Sequence, residues 1–351
     1  MRILQSILVL ALCCLPASAA EPSTVALGTE NPAASEGPIS GPVMGYVFDT
    51  ANRGVRPIFG IPGASHVGPL LQLNLDLAVA EVSPAGDYAL GVDRDGVLYR
   101  IGLRAGIGTA EVVTGGLAGV DRIFVSPTGD AAVVYERSSR QAQVLRDLHV
   151  GAEIGGVVEL ANLPGVVTAL AIADDGRTVL AAASTREGGA IYSAIPGSGA
   201  ERVAPAGQVV SLAFVPGSTD ALAVDALREE TLRITSLGRA PAVTVIASAS
   251  DGVRAPVAVA ASADGLSAVV ASTQTRSIAV VDFAGGAPRV LACNCEPHRV
   301  VPMGSALRLT DDPAQPIYLL EETGKVMFVP GVAAGQRTEE VRTPRGRVRS
   351  R

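Results

Sequence analysis

"VDRIFVSPTGDAAVVYERSSRQAQVLRDL", Val120 to Leu148, is the stretch on which the fold reading turns. A short apolar run, "RIFVS", meets a Pro-Thr-Gly-Asp turn. A second run, "AAVVY", follows, then a polar turn, then a third run, "AQVLRD". Short runs rich in Val, Ile, Leu and Ala, bounded by Gly, Pro, Asp and Ser, read as strands. The turn between the first two has a mechanism. Proline presets the first turn position, glycine accepts a positive φ, and aspartate bonds the local backbone.

The layout recurs. Copies begin at Leu77, Val120, Val167, Val209 and Ala255, with a weaker one at Ala306. The turn glycines Gly86, Gly129, Gly176 and Gly265 keep a period of about 45 residues. The fourth turn is written "PGSTD" instead. A fourth run, such as "AEVVTGG", completes a unit. Four strands per unit at this period is the pattern of a β-propeller. A β-helix repeats in far fewer residues, and a helical solenoid needs amphipathic helices that this chain lacks. Runs such as "VTALAIA" and "TVLAAAS" are small and apolar, which suits the crowded centre of a propeller.

The segment Gly41 to Ala64 precedes the first unit and reads as third and fourth strands, "GYVFDT" and "VRPIFGI". The last unit supplies three runs before a polar tail. The expectation is an all-β propeller of four-stranded antiparallel blades. Six units are countable, so six blades are expected, with an N-terminal strand completing the final blade. The spare N-terminal strand leaves seven blades open.

The elements "SPTGD", "ADDGRTVLAAAS" and "IAVVDF" resemble those of exported bacterial propellers of the YVTN and WD40-like-repeat kind. The likeness covers residues 41–331. It departs from true WD40 repeats in having no Trp-Asp dipeptide and no tryptophan. The resemblance implies an architecture and an exported address, and no activity.

The first residues fit that address. Arg2 is followed by the apolar run Ile3 to Leu15, and "PASAAEP" places small residues at a cleavage site after Ala19 or Ala20. Residues 1–20 therefore read as a signal peptide, giving a periplasmic or secreted protein. The apolar run is shorter than the roughly 20 residues of a membrane span. Cys13 and Cys14 lack the small preceding residue of a lipidation signal. Residues 21–40, rich in Pro, Ser, Ala and Gly, read as a flexible leader. Residues 332–351 read as a basic, disordered tail. The formal net charge is -6 and the only lysine is Lys325. That balance argues against nucleic acid as a partner, since phosphate affinity needs a basic surface.

No catalytic motif emerges, and neither a cofactor nor a metal ligand set is expected. His66, His149 and His298 sit in connectors without a catalytic signature. Asp49, Asp93, Asp95, Asp225 and Asp282 end apolar runs or lie in turns, and turn capping accounts for them. The "DRDG" at Asp93 lacks the glutamate that closes a calcium loop. The expected role is a binding or scaffold module, a monomer that takes a protein or small-molecule ligand at the propeller face. A lactonase-like hydrolase and a surface or secretion-linked adaptor are the alternatives.

"CNCEPH" remains. With Cys13 and Cys14 removed, Cys293 and Cys295 are the only cysteines of the mature chain. Tetrahedral zinc would need a fourth ligand beyond these two and His298. A redox centre would prefer C-x-x-C at a helix start. A disulfide suits an oxidising compartment. Residues i and i+2 of a straight strand lie about 6.6 Å apart. That is near the upper limit for a disulfide, so the pairing requires a bend at Asn294.

Overall fold

The computed structural model describes residues 41–332. The stretches read as signal peptide and leader, and all but the first residue of the stretch read as tail, lie outside them. The described chain is built from seven antiparallel sheets arranged in chain order. The first holds β1 (Val43–Asp49), β2 (Gly54–Ile61) and β3 (Ala64–Val67). The second holds β4 (Leu77–Val82), β5 (Tyr88–Asp93), β6 (Leu98–Arg104) and β7 (Ile107–Val112). The third holds β8 (Arg122–Val125), β9 (Ala132–Glu136), β10 (Gln141–Arg146) and β11 (Glu153–Glu159). The fourth holds β12 (Val166–Ile172), β13 (Val179–Ser184), β14 (Gly189–Ala194) and β15 (Glu201–Ala206). The fifth holds β16 (Val209–Phe214), β17 (Ala221–Asp225), β18 (Glu230–Thr235) and β19 (Ala242–Ser248). The sixth holds β20 (Pro256–Ala261), β21 (Ser267–Ser272), β22 (Ser277–Asp282) and β23 (Arg289–Ala292). The seventh holds β24 (Val301–Met303), β25 (Ala306–Arg308), β26 (Ile317–Glu321) and β27 (Val326–Val329).

The fold is a seven-bladed propeller, which corrects the expected six. The extra blade is the N-terminal segment itself. It forms a sheet of its own and lends no strand to the final blade, whose four strands all come from residues 301–329. The strands of that segment also move one place inward from their expected positions. β1 joins β2 through a four-residue turn ending at Arg53, φ 56°. The turns between second and third strands end alike, at Arg140, Glu229 and Arg276, with φ of 58°, 53° and 47°. β1, β2 and β3 are therefore the second, third and fourth strands of a blade without an innermost one.

Apolar burial closes the ring. Each neighbouring pair of blades shares a core, and seven such clusters link seven blades. The closing one sets Val47 and Ile58 of the first blade against Met303, Ile317, Leu319 and Val329 of the last. Fully burying one side chain of this kind contributes about 1.5–3 kcal/mol, so a seam of this composition holds without a shared strand.

The turn signature acts as its residues imply. Ser126 N–H donates to Ala131 O, Gly129 N–H donates to Ser126 O, and Gly129 takes φ 88°. In "PGSTD" the positive φ moves one place earlier, to Gly217 at 64°, directly after Pro216. Proline then glycine at the two central positions is the type II arrangement. The same hairpin is thus made by a different turn.

Candidate functional site

The innermost strands β4, β8, β12, β16, β20 and β24 surround a central channel of about 1030 Å³. No residue of β1, β2 or β3 lines it. The rim therefore has seven blades and the throat six strands. Much of the wall is small and apolar, with Ala169, Ala171, Ala213, Ala258 and Ala260 among the lining residues. Inner-strand edges carry polar groups with no strand beside them, and side chains satisfy some of these. Arg122 Nη1 donates to Thr168 O at 3.3 Å, and Val259 N–H donates to the Ser211 hydroxyl at 3.2 Å.

A charged network occupies the place where the first blade lacks its inner strand. Arg299 donates through Nη2 to Glu81 and through Nη1 to Asp311, both at 2.7 Å. Arg308, buried, lies 2.8 Å from Asp311 through Nε and donates through Nη1 to Tyr46 O at 3.0 Å. On that edge of β1 a guanidinium thus stands in for a strand. The attraction of Glu81 raises the Arg299 pKa against the cost of burial, with Asp311 adding to it. For Asp311, burial works to raise the pKa, but Arg308 and Arg299 overcome it and the value is lowered. At the other end of the same seam, Gly304 N–H donates to Pro84 O at 2.9 Å, joining two hairpin turns. Glu81 and Asp311 are both committed to arginine partners.

The other acids cap turns or pair locally. Asp225 is fully buried and accepts from the N–H groups of Gly207, Gln208, Leu227 and Arg228. Asp93 accepts from Asp95 and Val97 N–H and from the Tyr99 hydroxyl. Asp49 accepts from Asn52 and from Arg56 Nε, and Asp282 accepts from Ala284 N–H. Asp95 is exposed in its turn. Among the described residues, no three His, Cys, Asp or Glu side chains form a group suited to a metal ion.

The histidines separate. His66 is exposed on β3, its ring 5.7 Å from that of Phe59. His298 is exposed and lines the channel beside Arg299. His149 is exposed on the connection from β10 to β11 and has two carboxylate partners. Its Nδ1 meets Asp87 and its Nε2 faces Asp130, the aspartates of two successive "SPxGD" turns. The recurring turn aspartate was the available signal for this contact.

Cys293 and Cys295 lie on the connection from β23 to β24, between the sixth and seventh blades. Their Cα atoms are 5.0 Å apart, and the structure joins their sulfurs. Both are buried against Ile278, Val300, Leu309 and Leu320. The chain bends at Asn294 without a positive φ.

No family model matches the sequence, and no curated protein does. Solved structures do match. A functionally unknown protein from Desulfotomaculum acetoxidans is 13% identical, with TM-score 0.56, covering 82% of this chain and 98% of that one. A candidate 6-phosphogluconolactonase from Bacteroides fragilis is 13% identical, with TM-score 0.54, covering 82% and 92%. A catalytically inactive virginiamycin B lyase from Staphylococcus aureus, solved with quinupristin, is 14% identical, with TM-score 0.53, covering 72% and 83%. At these identities the likeness is one of fold, because a fold hosts many functions.

Proposed function

We propose that this chain is an exported, monomeric propeller of the YVTN and WD40-like-repeat kind that binds a small molecule or an extended peptide in its channel. The observation that carries the reading is the state of Glu81, among the described residues the one carboxylate on the six innermost strands. Glu81 and Asp311 are held by Arg299 and Arg308, so they serve the wall rather than a reaction. A lactonase-like reaction would need a general base or a metal-held carboxylate free to meet substrate. The small alanines of the wall leave room for a ligand inside the channel.

Export and the Cys293–Cys295 disulfide belong to the same reading. Among the described residues, no helix is long and apolar enough to cross a membrane.

The test uses protein purified from the exporting cell. Intact mass should match cleavage after Ala19 or Ala20 and show no alkylatable thiol. Native mass spectrometry should find a bound species that is lost when Ala213→Trp fills the channel. Turnover of a panel of sugar lactones that disappears in Glu81→Gln would overturn the binding reading.

A further inference from the structure

The path from Cys293 to Arg299 is short and fixed at both ends. At its start, Cys293 N–H donates to Arg276 O at 2.8 Å. Arg276 also pairs with Glu296 at 2.5 Å, and the Thr273 hydroxyl donates to Pro297 O at 3.3 Å. At its end, the N–H groups of His298 and Arg299 both reach Leu309 O, at 3.1 and 3.3 Å. Arg299 then crosses the seam to Glu81. Only Glu296, Pro297 and His298 separate the second cysteine from the arginine that spans the throat.

We propose that the thiol–disulfide state of Cys293 and Cys295 sets the position of Arg299 and thereby controls whether the channel wall is closed beside the first blade. This rests on the disulfide reading above.

The chemistry is an ordinary exchange. A small dithiol attacks the Cys293–Cys295 bond through its thiolate, forming a mixed disulfide with one cysteine and releasing the other as a thiolate, and its second thiolate then displaces the cysteine still held. The dithiol leaves as its cyclic disulfide, oxidised by two electrons. The protein gains those two electrons and two protons as two thiols.

Two thiols need a wider separation than two bonded sulfurs. Close-packed interiors do not absorb such a change without a shift. On the buried side the sulfurs meet Ile278, Val300, Leu309 and Leu320, which belong to packed strands or flank them. On the other side run Asn294 and Glu296, both exposed. The displacement is therefore taken up by the connector, whose far end is Arg299. Moving that guanidinium unpairs Glu81 and opens the wall where no inner strand of the first blade backs it. At the opposite end of the seam the Gly304–Pro84 hydrogen bond stays in place.

The experiment is amide hydrogen exchange on the exported chain, with and without dithiothreitol, read beside alkylation mass. No thiol is expected before treatment and two after it. Reduction should speed exchange at the His298 and Arg299 amides by about tenfold or more, the scale of a local opening, and leave β12 to β15 unchanged. The Cys293→Ser/Cys295→Ser variant should show the same pattern without reductant. If that variant does not fold, the reductant comparison on the native chain decides alone. In Glu81→Gln the mobility should already be raised at Arg299, and reductant should add less than twofold. Two thiols in the untreated protein would overturn the disulfide and the switch together. Two thiols released with no change at Arg299 would overturn the switch and leave the disulfide standing. A bond that dithiothreitol fails to reduce in the folded chain would also overturn the switch.

Discussion

His149 Nδ1 lies 2.5 Å from Asp87 Oδ2 across the seam between the second and third blades, with Nε2 facing Asp130 at 3.5 Å. Ser83 donates to Asp87 from behind, and Arg100 donates to the His149 carbonyl and stacks over Tyr88. The bond to Asp87 raises the His149 pKa above its ordinary 6.5, against desolvation. For Asp87, burial opposes the shift, but the bonds from His149 and Ser83 lower its pKa below 3.8. A raised histidine stabilises the fold fully below its unfolded pKa and loses that effect as pH rises through the folded one. A lowered aspartate loses its effect as pH falls through its folded value. The pair is complete between the two. His149→Gln should cost about 1 kcal/mol or less near pH 5–6, as expected for a partly exposed pair. The difference should vanish above the raised histidine pKa, measured by denaturant melts across pH.

Arg56 and Asp49 form a different kind of pair, with Nε to Oδ2 at 2.6 Å and both side chains buried. Burial works against ionised Asp49, but Arg56 and Asn52 outweigh it and lower its pKa. Arg56 also donates to Gly68 O at 3.0 Å. Arg56→Leu should cost about 3–5 kcal/mol, because it strands a buried carboxylate. Adding Asp49→Asn should recover part of that loss. A double-mutant cycle by urea unfolding checks both steps.

Tyr88 is fully buried, and its hydroxyl donates to Gly129 O at 2.6 Å, from the second blade to the third. Burial, then the neighbouring Asp87 charge, pushes the phenol above its ordinary pKa. Tyr88→Phe keeps the packing and leaves a carbonyl unsatisfied, so it should cost about 1–3 kcal/mol in thermal or urea melts.

Gly217 and Gly129 both take positive φ, but their surroundings differ. A Cβ at Gly217 meets nothing within 4 Å, whereas one at Gly129 meets His149 and Pro84 at 3.3 Å. Gly217→Ala should cost about 1 kcal/mol, the conformational part alone. Gly129→Ala should cost more, and should also weaken the pH dependence at His149.

Strands, turns and period were legible because each is local. "SPTGD" carries its own backbone geometry, and "AAVVY" its own alternation. The blade number depended on closure, which is a long-range fact. Val301–Met303 contains a proline and meets β25 through a tight turn without the Pro-x-Gly-Asp signature, so "ALRL" looked like a first strand when it is a second. The N-terminal segment was readable in one respect: "DTANRG" parallels "ERSSRQ", the turn between second and third strands. The Arg299 network lay beyond local reading, since Glu81 and Arg299 are separated by almost the whole ring. Turn capping by Asp93 and Asp225 was legible, because their partners lie within a few residues or in the adjoining connector.

The three-stranded first blade has a consequence for how the molecule varies. When a terminal strand is woven into the opposite end, the number of modules is locked, because one more or one fewer misplaces the woven strand. Among the described residues here, the two ends meet as finished surfaces. The count is then set by curvature and by the fit of one seam. Duplicating or deleting a complete middle blade leaves that seam chemically intact, so a chain of this design can change its circumference by whole-module steps.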